Sequence, residues 1–87
     1  MKQIKRKLVN ILHKELLIDK ALINENARLE KNLAINPFEF NLLLYYFERD
    51  TKMHIPDDQI SIHQNIGELT LSIYRIRKTN HSLRAAS

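Results

Sequence analysis

The chain has no cysteine, one glycine and two prolines among its 87 residues. Without cysteine there is neither a disulfide framework nor a zinc–thiolate site, and the redox compartment stays open. A single glycine, Gly67, rules out a glycine-rich loop of the kind that cradles phosphate. Long hydrophobic runs are missing as well: the longest, from Leu42 to Phe47, falls far short of a membrane span. The first residues, Met1-Lys2-Gln3-Ile4-Lys5-Arg6-Lys7, are basic but lack the unbroken apolar stretch of a signal peptide. A soluble, cytoplasmic chain with no membrane span is the expectation.

What is present is ordinary for a globular domain: 44% hydrophobic and 28% charged residues. A chain this short holds one modest core and not two. Lys and Arg number 14 against 10 Asp and Glu, a formal charge of +4. The excess sits at the two ends, in Lys2, Lys5, Arg6, Lys7 and Lys14 and again in Arg75, Arg77, Lys78 and Arg84. Such a distribution could meet phosphate or acidic protein. The plainer reading is a pair of solvated helix faces plus a polar tail.

The periodicity is helical. Ile4, Leu8, Ile11, Leu12 and Leu16 recur at steps of three and four, which predicts a first helix over Lys2 to Leu17. Asp19 to Ile35 has no sustained period and gathers Asn24, Glu25, Asn26, Arg28, Glu30, Lys31 and Asn32, so it reads as a long polar loop. Ile18, Leu22, Ile23, Leu29, Leu33 and Ile35 are expected to peg that loop to the bundle. Ordered loops of this length are uncommon unless functional. Phe40, Leu43, Leu44 and Phe47 mark the core stripe of a second helix, from Asn36 to about Lys52. Pro56 biases Ile55 away from helix, after which Asp57 or Asp58 could cap a short helix reaching about Ile62. Asn65, with Glu68 three residues on, caps a last helix whose stripe is Ile66, Leu69, Ile73 and Ile76 and which ends near Lys78. The expected organisation is a domain over residues 1–78 and a flexible tail over 79–87.

Catalytic chemistry is thin. His13, His54, His63 and His81 lie in different elements and form no metal-ligand spacing. Asp57 and Asp58 read as a helix cap before an acid–base pair, and no serine sits in a nucleophile elbow. The chain does not read as an enzyme.

The most legible stretch is Asn32-Leu33-Ala34-Ile35-Asn36-Pro37-Phe38-Glu39-Phe40. Asn36 is a favoured N-cap. Pro37 falls at the first helical position, where a missing N–H costs nothing. Glu39, three residues after the cap, completes an Asn-x-x-Glu arrangement akin to the capping box and places a negative charge at the positive end of the helix dipole. Leu33-Ala34-Ile35-Asn36-Pro37-Phe38 resembles the acyl carrier protein signature Leu-Gly-Leu-Asp-Ser-Leu, whose serine carries the phosphopantetheine arm. Met53-His54-Ile55-Pro56-Asp57-Asp58 is similar to that family's Phe-x-Ile-Pro-Asp-Glu, and Asn65-Ile66-Gly67-Glu68-Leu69 to its Thr-Val-Gly-Asp-Leu. Ile23 to Leu29 takes the place of its polar first loop, and the register holds from about Leu8 to Ile76. The resemblance implies an all-α, acyl carrier protein-like four-helix bundle with three long helices, one short helix and a long first loop. It also implies a role in fatty-acid or polyketide-type biosynthesis.

One departure outweighs the others. Pro37 occupies the serine position and has no hydroxyl to form the phosphodiester; Asn36 stands for the preceding aspartate, and Lys31 and Asn32 for family acids. Phosphopantetheine, the cofactor expected for the family, has no attachment site, and no other cofactor or metal is expected. What remains is a docking or regulatory module whose partners would be biosynthetic enzymes or other carrier proteins. Its candidate partner face is Phe38, Leu42, Tyr45 and Tyr46, displaced from the core stripe of the same helix. The alternative is that the tyrosines pack against neighbouring helices with their hydroxyls wet. Two other readings stay open: a self-associating helical protein that hides this stripe in a homodimer, and a small basic nucleic-acid-binding protein. The latter has no reading motif and no aromatic–basic interleaving behind it.

Overall fold

The first stripe of apolar residues builds the element on which the others lean. In the computed structural model, which describes the backbone of residues 2–86 and the side chains of residues 2–79, helix α1 spans Lys2–Lys14. It buries Ile4, Leu8, Ile11 and Leu12. Helix α2 (Pro37–Thr51) buries Phe40, Leu43, Leu44 and Phe47, and helix α3 (Ile66–Ala86) buries Ile66, Leu69, Ile73 and Ile76. Both α2 and α3 pack on α1. Leu8, Leu12, Leu43, Phe47, Leu69 and Ile73 meet at the centre, each with no exposed surface. The described residues contain no strand, only a single bridge between Arg28 and Asn65, and no helix long and apolar enough to cross a membrane.

The described residues form three α-helices and no strand, where the sequence pointed to four helices. The expected short helix over Asp57 to Ile62 is a 3-10 turn, Asp57–Gln59. Its cap position is Pro56, which makes no side-chain cap bond, and Ile60 is already extended at φ −136°. Ile60 and Ile62 explain why: both pack against the core. Residues two apart share a side in extended chain and lie about 200° apart on a helix. Burying both isoleucines therefore favours extended backbone there.

Two helix ends also differ from expectation. α1 stops at Lys14 and not Leu17, because Leu17 adopts a left-handed conformation at φ 59° that no α-helix continues through. The turn is closed by Glu15 N–H donating to Ile11 O (2.8 Å) and Ile18 N–H to Leu12 O (3.1 Å). At the other end, α3 continues past Lys78 to Ala86. Nothing between Thr79 and Ala86 is glycine or proline, so no residue there breaks the backbone ladder. Ser87 lies outside the described residues.

The long loop between α1 and α2 is ordered by the pegs its sequence carries. Ile23, Ala27, Leu29, Leu33 and Ile35 are buried, Ile18 is half-buried, and Leu22 stays exposed. The backbone is tied to the start of α3: Ile66 N–H donates to Ala27 O (3.0 Å), Gly67 N–H to Glu25 O (2.9 Å) and Leu29 N–H to Gln64 O (3.2 Å). The first two satisfy first-turn amides of α3 that have no partner within their own helix, and the third ties a loop amide to the carbonyl of Gln64 just before it. They also account for the one glycine, since a Cβ at residue 67 would lie 3.3 Å from Glu25 O.

Candidate functional site

The site begins at the mouth of α2. Asn36 is extended (φ −89°, ψ 170°), and its side-chain oxygen accepts from Glu39 N–H at 2.8 Å. Glu39 Oε1 accepts in return from Asn36 N–H at 3.0 Å, closing a capping box, with Pro37 first in the helix. The approach is equally fixed. Ala34 takes a left-handed φ of 55°, and buried Ile35 donates its N–H to Leu29 O at 2.9 Å. Asn32 clamps the turn before it, its Oδ1 accepting from Arg28 N–H at 2.8 Å. Residue 37 is thus presented, exposed, on a rigid shoulder between pegged loop and capped helix. Its own chemistry is nil: proline offers neither hydroxyl nor N–H there.

The sequence-predicted partner residues do not share one environment. Phe38 and Tyr45 are 65% and 58% exposed, whereas Leu42 and Tyr46 are half-buried and Tyr46 packs against the core. The two tyrosine rings meet edge to face at 5.5 Å, and the Arg49 guanidinium lies 4.9 Å from the Tyr46 ring centre. Arg49 is held in turn by Asp50 at 3.1 Å, a hydrogen bond that pushes its already high pKa further up. One face of α2 therefore presents two exposed aromatic rings with an ordered cation beyond them.

Elsewhere a few charged and polar side chains are paired. Lys5 Nζ lies 2.9 Å from Glu25 Oε1; that hydrogen bond first, and the charge attraction second, hold the Glu25 carboxyl below its ordinary pKa. His63 pairs with Glu30 at 3.1 Å, His54 lies 3.3 Å from Glu48, and His13 Nδ1 donates to Ile18 O at 2.9 Å. His81 is outside the described side chains. Among the described residues no group of three or more His, Asp or Glu is placed to hold a metal ion.

Sequence reasoning missed a second feature, an open cleft of about 220 Å³ where α1, the end of α2 and α3 meet. Ile4, Phe47 and Met53 contribute its apolar lining, and Lys7 and Arg77 stand on it. The basic clusters at the two ends of the chain were the only signal, and nothing in linear order says that they converge.

No protein-family model, no curated protein and no solved structure matches the chain.

Proposed function

We propose that the chain is an acyl carrier protein-like domain of fatty-acid or polyketide-type biosynthesis that cannot carry phosphopantetheine and acts as a docking or regulatory module. The observation that carries this reading is the exposed Pro37 at the first position of a boxed helix, in the place the resemblance assigns to the attachment serine. The long pegged first loop agrees with it. The family's short helix corresponds here to the 3-10 turn Asp57–Gln59, the finer point at which the likeness is loosest. As a module it needs no reaction of its own. The partner would meet the α2 face at Phe38 and Tyr45, with Leu42 and Tyr46 as the half-buried base. Cytoplasmic residence belongs to the same proposal.

The test is a mass measurement after incubation with coenzyme A and a broad-specificity phosphopantetheinyl transferase. The native chain is expected to gain nothing, whereas the double variant Asn36→Asp/Pro37→Ser gains the arm. An arm on the native chain would overturn the reading, and a double variant that folds yet stays unmodified would remove the carrier resemblance as its basis. A second reading, self-association, has the 65% and 58% exposure of Phe38 and Tyr45 in its favour. Light scattering across a concentration series separates the two, and Phe38→Ser/Tyr45→Ser would abolish any dimer built on this face.

A further inference from the structure

The cleft at the other end of α2 points to a partner of definite chemistry. α1 carries Lys2, Lys5, Arg6, Lys7 and Lys14 and no acid, and α3 bears Arg75, Arg77 and Lys78 with Glu68 in its first turn as the one acid. Lys7 and Arg77 bring these two basic helices together on the cleft. Among the described residues neither has a carboxylate partner; the Arg77 guanidinium lies 5.9 Å from the Tyr74 ring centre. The acids on the adjoining cleft, which Lys7 also borders, are Glu15 and Asp50, and Asp50 is engaged by Arg49. Lys7 and Arg77 therefore stand over apolar surface offered by half-buried Met53, with buried Ile4 and Phe47 beneath it, and neither cation is held in an ion pair among the described residues.

Size narrows the occupant. At about 220 Å³ and open to solvent, the cleft is smaller than the ~300 Å³ at which pockets for small organic ligands begin. It has room for one apolar side chain delivered from outside. Stacked nucleobases would need an open ring; the aromatic residue of the lining, Phe47, has no exposed surface, and the half-buried Tyr74 ring beside Arg77 has Arg77 and Lys78 standing over it. We propose that this cleft receives an acidic polypeptide segment of a partner protein, one apolar anchor residue entering it and flanking carboxylates pairing with Lys7 and Arg77. This stands on the cleft alone and does not depend on the carrier reading.

The test uses the whole chain and a fluorescein-labelled peptide with one leucine set among glutamates, followed by fluorescence anisotropy at low and physiological salt. Saturable binding that weakens with salt is expected, falling about tenfold in Lys7→Gln/Arg77→Gln. Arg6→Gln, which removes the same kind of charge away from the cleft, should leave affinity within about twofold, and a peptide with serine for leucine should lose most of it. Circular dichroism checks that helicity is kept; if the double variant unfolds, Lys7→Gln alone carries the comparison. The proposal is overturned if Arg6→Gln costs as much as the cleft variant, if the serine peptide binds equally well, or if no saturation is reached. Tighter binding of single-stranded DNA than of the peptide would overturn it in favour of a nucleic-acid surface.

Discussion

Leu17 breaks two ordinary rules at once. It is 84% exposed, and its φ of 59° is a conformation that favours glycine. No packing is lost by truncating it, so Leu17→Gly should stabilise the fold by about 0.5–1 kcal/mol, the left-handed strain relieved exceeding the added chain entropy. A rise in the urea midpoint reads this directly. Phe47 is the opposite case: it has no exposed surface and lies against the core, so Phe47→Ala should cost about 3–5 kcal/mol in the same measurement. Lys5 and Glu25 supply a pH dependence. The folded carboxyl titrates below its unfolded value, so the pair's contribution is present at neutral pH and fades as pH falls through the acid range. Lys5→Gln should therefore lower the urea midpoint slightly at about pH 7 and match the native chain at about pH 3. An equal difference at both pH values would mean that Lys5 acts through its stem and not its charge.

The elements show which signals survive the step from sequence to structure. Both Asn-x-x-Glu starts form reciprocal boxes: Asn36 with Glu39, and Asn65 with Glu68, where Glu68 N–H donates to Asn65 Oδ1 at 2.7 Å and Asn65 N–H to Glu68 Oε1 at 2.9 Å. They were legible because capping is decided within four residues, with no help from the rest of the chain. Asn36→Ala and Asn65→Ala should each cost about 1 kcal/mol by chemical denaturation. The core stripes were legible for a related reason, since a repeat at helical spacing defines its own inward face. The segment around Ile60 and Ile62 was not, because a distant core decides whether two isoleucines lie on one side. The end of α1 was missed because a leucine, not a glycine, takes the left-handed turn. At the site, the position of Pro37 could be read from local signals, whereas the pairing of Lys7 with Arg77 is set by helix packing.

For the whole molecule, the loop–α3 bonds tie the longest irregular segment to the core. The amides of Leu29, Ile66 and Gly67 should exchange with deuterium as slowly as those of the central helices, because opening them means lifting Ile23, Ala27 and Leu29 out of burial. Fast exchange there would show that the loop opens on its own. The placement of α1 has a further consequence. The helix on which both others pack is also the one most crowded with Lys and Arg, the residues after which trypsin-like proteases cut. Such an enzyme needs extended backbone, and α1 cannot supply it without releasing Leu8 and Leu12 from the centre of the fold. Cleavage within α1, as distinct from cuts at the exposed residues Lys20, Lys31 and Lys52 outside the α-helices, is thus a clock for global unfolding, and the rate at which α1 is cut across variants should rank with their folding free energies.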